Sequence, residues 1–295
     1  MLGEEQRQEL MAVIERVDQL FLDGKSVKLD FRKVEFLHPC GTLVFLAHFD
    51  RWADLYRGRL FGTYPEDEVV EQLLQHVKVM ERLGLEERRQ VTHERVKFWH
   101  FKSGATANAA PYKDLATTVR DNIDHPQSAL FADCLNEAVA NSVGHAYDFE
   151  RPWLPPKSHR KWWVLSLLKD DHVFVAIYDL GVSIPSSLRR KPEWADYLKL
   201  RPLKDSRLIS LAVTSNRTST KLPNRGKGLP EMLEFSQQLA SGALSIASGN
   251  GAYKYDADAA KSTRYRLDCP VRGTLVLWQI PFRKERGDEN NDLNS

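Results

Sequence analysis

The sequence predicts two mixed units in one chain: an α/β unit over residues 1–87, and a two-layer α/β sandwich, helices on a mostly antiparallel sheet, over 111–284. Three observations predict this. Helical and strand-like periods alternate through the first part of the chain. A charged run, "EERRQVTHER", then breaks the pattern. Beyond it, "KWWVLSLLKDDHVFVAIYD" reads as two strands about a tight turn, and more strands follow late in the chain. Helices grouped beside antiparallel strands imply an α+β layering.

In the first unit, Leu10, Val13, Ile14, Val17, Leu20 and Phe21 recur at helical spacing, so a helix is expected over about Gln6–Phe21. "SVKLDF" reads as a short strand and "GTLVFLAHFDRWADLY" as a helix opened by Gly41. "RLFGTYP" is a strand entering a turn, and "EDEVVEQLLQHVKVMERLGL" a single helix ended near Gly84. A linker is expected over 88–110.

In the second unit, a helix is expected near Tyr112–Asp121 and another over about Gln127–Tyr147. The hairpin follows, then "LGVSIP" and a long basic segment reaching Asn224. "GKGLPEMLEFSQQLA" is a helix opening on glycines, and "GALSIAS", "GNGAYKYD" and "GTLVLWQIP" are three strands. Residues 285–295 are polar, charged and expected to be a disordered tail.

Composition narrows the function. The chain has 295 residues, 42% of them hydrophobic and 28% charged, as in a soluble globular protein. A net charge of +2, with acids balancing bases outside the basic segment, argues against a nucleic-acid partner. The polar start "MLGEEQRQEL" and the short apolar runs predict neither a signal peptide nor a membrane span. Cys40, Cys134 and Cys269 lie far apart with no Cys-x-x-Cys pair, which argues against structural zinc and a disulfide framework and suits a cytoplasmic location. No helical His-x3-His pair suggests a metallohydrolase. Trp153, Trp162 and Trp163 near the hairpin are expected in the core or an interface, not as a base-stacking platform.

Three motifs carry chemistry. In "LNEAVANSVGHAY", Glu137, Asn141 and His145 fall four residues apart and share one helix face, with Ala138, Val139 and Val143 free to fill the buried side. Such a stripe is either a solvated face or a carboxylate base beside an amide ligand for Mg²⁺. In "YDLGVSIP", Asp179 ends an apolar strand and could accept a hydrogen bond from an amino group, and Gly181 leaves room for a flat ring. Asp and Gly are also ordinary residues of a strand-ending turn. In "NRGKGLPEM", Gly226 and Gly228 precede a helix, whose free N–H groups form an anion site. Arg225 and Lys227 add positive charge, and a flexible loop is the plainer reading. No Walker loop is present.

The order and spacing of these motifs over about Tyr112–Arg283 resemble the GHKL (Bergerat) ATP-binding family of gyrase, histidine kinases, MutL and the bacterial anti-sigma serine kinases. "EAVANSVGHAY" is most similar to the anti-sigma kinase helix, and the late Gly273-Thr274 before an apolar strand also matches. The resemblance implies bound ATP and Mg²⁺. It implies Glu137 as general base, Asn141 as the Mg²⁺ ligand, Asp179 as adenine anchor with Gly181 making room for the base, and Thr274 near the adenine. It places Arg225, Gly226, Lys227, Gly228 and Leu229 around the phosphates, with His145 close by. The segment from Pro185 to Asn224 would be a lid whose cations include Arg189, Arg190, Lys191, Arg207, Arg217 and Lys221, with Arg217 or Lys221 reaching the γ-phosphate. Ser183 and Pro230 stand where the family has glycines, which bears on lid movement and turnover.

The first unit resembles a STAS domain, the fold of anti-anti-sigma factors, through "VKLDFRKVEFLHPCGTLVFLAHFDRW" and "FGTYPEDEVVEQLLQHVKVMERLGL". The family's phosphorylated serine is Cys40 here, within "HPCG", and Thr42 is a substitute acceptor. A small buried residue at a helix start is the plainer reading of Cys40. Together the resemblances imply an ATP-dependent regulatory switch, with a protein partner that is either a regulatory factor or the chain's own STAS-like domain. Phosphoryl transfer to a Ser or Thr, ATP hydrolysis driving a conformational cycle, and an ATP-binding pseudokinase scaffold all fit the motifs. Homodimers are common among such proteins.

Overall fold

The computed structural model describes residues 3–97, 99–108, 110–123, 125–152, 154–169, 171–191, 194, 203–215 and 228–282. The chain is mixed α/β, with a two-stranded parallel sheet and a five-stranded antiparallel sheet. Among the described residues no helix is long and apolar enough to cross a membrane. The expected tail lies outside the described residues.

Helix α1 (Glu4–Leu22) buries Met11, Ile14, Val17 and Phe21, while Val13 stays 49% exposed. Strands β1 (Val27–Leu29) and β2 (Leu60–Gly62) pair in parallel, so a crossover must join them, and α2 (Pro39–Leu55) supplies it. Helix α2 starts two residues before Gly41. Pro39 suits a first turn, and His38 Nδ1 accepts the Cys40 N–H at 3.2 Å. The single helix expected over residues 66–85 is instead two, α3 (Glu68–His76) and α4 (Val79–Arg82). Lys78 between them takes the left-handed conformation, φ 64°, and Val79 and Met80 beyond it are fully buried. A short helix α5 (Glu94–Lys97) and strand β3 (His100–Gly104) fall within the stretch read as a linker.

The antiparallel sheet has the order β3-β4-β5-β7-β6, with β4 (Trp162–Lys169), β5 (His172–Asp179), β6 (Ala243–Asp256) and β7 (Lys261–Pro281). Its front face, with Trp162, Val164, Val175, Ile177, Ile246 and Trp278, packs on Leu115 of α6 (Lys113–Asn122), on Phe131, Leu135 and Val139 of α7 (His125–Gly144), and on Met232 and Phe235 of α10 (Gly228–Gln237). Its back face, with Trp163, Leu165, Leu167, Ala176, Tyr178 and Leu277, shares one core with α1 and α2. A two-layer sandwich left that face open. The N-terminal unit covers it, which is why "WWVLSLL" is apolar without alternation. Helix α2 lies against β4 and β5 on one side and α1 on the other, so most of its surface is apolar.

Charged groups seal the margin of this interface. Asp18 accepts from Trp52 Nε1 at 2.7 Å and Arg272 Nη1 at 2.8 Å, and pairs with Arg51. Asp50 accepts from Lys161 Nζ at 2.9 Å and Trp163 Nε1 at 3.0 Å, and pairs with Arg82. Strands β6 and β7 form one long hairpin with irregular register at Ser248, Gly249 and Gly251, where three shorter strands were expected. The N-terminal half of β7 pairs with β6 although "KSTRYRLDCPVR" is mostly polar, because this part of the hairpin is largely exposed: Lys261 to Arg266 all face solvent, and only Leu267 and Val271 are buried.

Candidate functional site

The site forms where β5 ends and its pairing with the middle of β7 begins, under the last turns of α7. Antiparallel register sets Asp179 directly opposite Thr274. Asp179 is 5% exposed, and its Oδ1 accepts the Gly181 N–H at 2.8 Å. Burial pushes its carboxyl up from 3.8 to about 7, opposed by the Gly181 and Thr274 amides and the Ser142 hydroxyl. Gly273 permits this approach: its φ is 77°, and a Cβ there would lie 1.9 Å from the Asp179 carbonyl oxygen.

A cavity of about 160 Å³ opens on this floor, lined by Asn141, His145, Asp179 and Thr274 among others. The α7 stripe is therefore only partly solvent-facing. Asn141 and His145 line the cavity, and His145 Nδ1 lies 3.2 Å from Asp148 Oδ2. Ala138 also lines it, Val139 is fully buried, and Val143 is 39% exposed. Val143 thus departs from its expected inward position, and Ser142 points inward at the helix end instead.

Helix α10 packs on α7 and sets its first residue against this stripe. A Cβ on Gly228 would lie 2.7 Å from Glu137 Oε2 and 3.1 Å from Asn141 Nδ2, so glycine lets the helix N-terminus approach both groups. Gly228 and Leu229 line the cavity; Arg225, Gly226 and Lys227 lie outside the described residues. Burial, then Glu231 and Asp133, raise the Glu137 carboxyl above its ordinary range, the direction required of a proton acceptor near neutral pH. Pro230 falls in the first turn of α10, where its missing N–H costs nothing.

Two residues of the strand-ending turn differ from expectation. The space that Gly181 makes is filled from the protein itself, since a Cβ there would lie 2.3 Å from the Ala146 carbonyl oxygen, which accepts the Val182 N–H at 2.8 Å. Its glycine lets the turn after α7 pack against the end of β5. Ser183, where the resemblance led to the expectation of a glycine, has a backbone that favours glycine, φ 75° and ψ 150°.

The expected lid is in part a fixed wall. Helix α9 (Asp205–Thr214) buries Leu208, Ile209 and Val213. Gly249 and Gly251 let β6 lie against its first turn, where Cβ atoms would meet Asp205 Oδ2 at 2.7 Å and Ser206 N at 2.3 Å. Of the basic residues, Arg189 pairs with Asp205 at 2.7 Å and Arg190 lies 3.9 Å from the Phe149 ring. Lys191 lines the cavity, Arg207 does not, and Arg217 and Lys221 lie outside the described residues. Sequence reasoning missed Trp194, Ser187 and Ser215 in the lining and Ser248 behind Thr274. The basic lid pattern drew attention to cations, and nothing marks a serine within the strand "ALSIAS".

Trp162 and Trp163 are fully buried on opposite faces of the sheet, and Trp153 lies outside the described residues. Cys40, in the first turn of α2, is 1% exposed, and burial pushes its thiol up to about 11. Thr42 is 3% exposed, and its hydroxyl has no partner among the described residues. Neither is open to a kinase in this arrangement. Among the described residues no group of three or more His, Cys, Asp and Glu side chains could hold a metal ion. Asn141 fits a different demand, because Mg²⁺ commonly takes one or two protein ligands and completes its shell with phosphate and water. No protein-family model matches the chain, and no curated protein is significantly similar to it.

Proposed function

We propose that this chain is an ATP- and Mg²⁺-binding regulatory protein, kinase-like in the manner of the anti-sigma serine kinases. In this reading its nucleotide state controls a protein–protein interaction in the cytoplasm. One observation carries the reading: a buried carboxylate, Asp179, faces Thr274 on the floor of a cavity whose far side meets Asn141 and the start of α10. Asp179 would take the adenine amino group, and the α10 N-terminus the phosphates. Asn141 would offer its amide oxygen to Mg²⁺, which neutralises phosphate charge when bound. Glu137 sits beside that end with its proton affinity raised, so it would accept the proton of an attacking hydroxyl. The likeness to STAS and GHKL folds is part of the same proposal. Because Cys40 and Thr42 are enclosed, the acceptor is sought on a separate protein or in water.

The test is incubation with γ-labelled ATP and Mg²⁺, following both free phosphate and label on protein. Glu137→Gln is expected to abolish release and transfer while ATP still binds. Equal turnover in the variant would remove Glu137 from the chemistry. ATP binding with no turnover in either protein would leave the scaffold form of the reading.

A further inference from the structure

Ser248 lies on β6 directly opposite Thr274 of β7 and is fully buried. Its hydroxyl has three partners. It accepts the Ile184 N–H at 2.9 Å, lies 2.9 Å from the Gly273 carbonyl oxygen, and lies 2.9 Å from Thr274 Oγ1. A serine hydroxyl has one proton. The Gly273 carbonyl can only accept, so satisfying all three contacts commits that proton to Gly273. The Ile184 amide uses one lone pair, and the other must receive the Thr274 proton. Thr274 is thereby left with lone pairs alone for the cavity that it lines.

We propose that Ser248 is a positioning residue that fixes Thr274 as a hydrogen-bond acceptor and so makes the cavity select an amino-substituted base over an oxo-substituted one. This rests on the nucleotide reading above and adds the residue that sets the selection. Asp179 and Thr274 face each other across two strands, so the floor presents two acceptors side by side. A single exocyclic –NH₂ carries two hydrogens and can satisfy both. A carbonyl oxygen in its place meets acceptors only, and sites built on buried hydrogen-bonding groups reject such analogues strongly. The same serine holds the first residue of α8 (Ile184–Leu188), so the base floor and the start of the neighbouring wall share one anchor.

The experiment compares ATP with inosine triphosphate, which replaces the amino group by a carbonyl, by equilibrium titration at pH 8 with Mg²⁺. The wild type is expected to prefer ATP by at least about tenfold, the worth of one hydrogen bond. Ser248→Ala frees the Thr274 proton to turn into the cavity, so the preference should narrow by about fivefold to tenfold. Thr274→Val, which removes one acceptor at a half-buried position, should narrow it as well, and Thr274→Ser should preserve it. The valine variant carries the test if the loss of the buried Ser248 hydroxyl prevents folding. A wild type that binds both nucleotides equally overturns the proposal and leaves the nucleotide reading intact. So does a wild-type preference that Ser248→Ala and Thr274→Val leave unchanged. Binding of neither nucleotide overturns both.

Discussion

Replacing Asp179 by Asn should stabilise the protein, and more so as pH rises. In the folded chain the carboxyl ionises near about 7, against 3.8 when solvated, because burial disfavours its charge. The folded state therefore binds the proton more tightly between those values. Wild-type stability falls as pH rises through that window and levels off above the folded value. Each unit of the gap corresponds to about 1.4 kcal/mol, so the carboxylate costs the fold roughly 4 kcal/mol at pH 8 but only ~1.5 kcal/mol at pH 5. Asparagine cannot ionise, and its amide oxygen can still accept the Gly181 N–H. Urea denaturation of both proteins at pH 5 and pH 8 should show the stability difference, variant minus wild type, growing by roughly 2–3 kcal/mol. Other titrating groups cancel in that difference. A difference that is flat with pH, or that shrinks, would refute the assignment of Asp179 as a strained buried carboxylate. Such strain is what a site held ready for a hydrogen-bond donor would carry.

Ser183→Gly should also stabilise the chain. A residue other than glycine at φ 75°, ψ 150° costs about 1–3 kcal/mol. Glycine's extra chain entropy, about 0.5–1 kcal/mol, offsets part of the relief. The expected net gain of about 1 kcal/mol would appear as a higher urea midpoint, and a lower midpoint would show that the Ser183–Ser186 contacts outweigh the strain. Asp50→Ala leaves the Trp163 indole without its acceptor at the back of the sheet, while Lys161 and Arg82 keep Asp54, and should cost about 1–3 kcal/mol, read by calorimetric unfolding. Burial pushes the Asp50 carboxyl up, but Lys161, Arg82 and the Trp163 N–H together hold it below 3.8. The stability it contributes is therefore present above that value and lost as pH falls below it. A stability difference between the wild type and Asp50→Ala that does not shrink as pH falls below that value would contradict this.

Local signals carried much of the fold, and they fail where the reason is tertiary. The α1 period, the β4–β5 hairpin and the α7 stripe are legible because each is a short-range pattern. The covered back face is not, because "WWVLSLL" states that both faces are buried without saying by what. Lys78 breaks a continuous helical pattern with no Gly or Pro to announce it. At the site, Asp179 and Asn141 stand out by residue type, and register then sets Asp179 beside Thr274. At Gly181 the glycine says only that something comes close, and the structure puts Ala146 there. Ser248 is silent in sequence, since its importance lies in three contacts from three segments.

The central claim is that the cavity over Asp179 binds ATP. Calorimetric titration of ATP with Mg²⁺ into the wild type and Asp179→Asn tests it most directly. Micromolar binding by the wild type is expected, with loss of that binding in a variant that remains folded. A folded wild type that takes up no ATP, or a variant that binds as tightly, would contradict it.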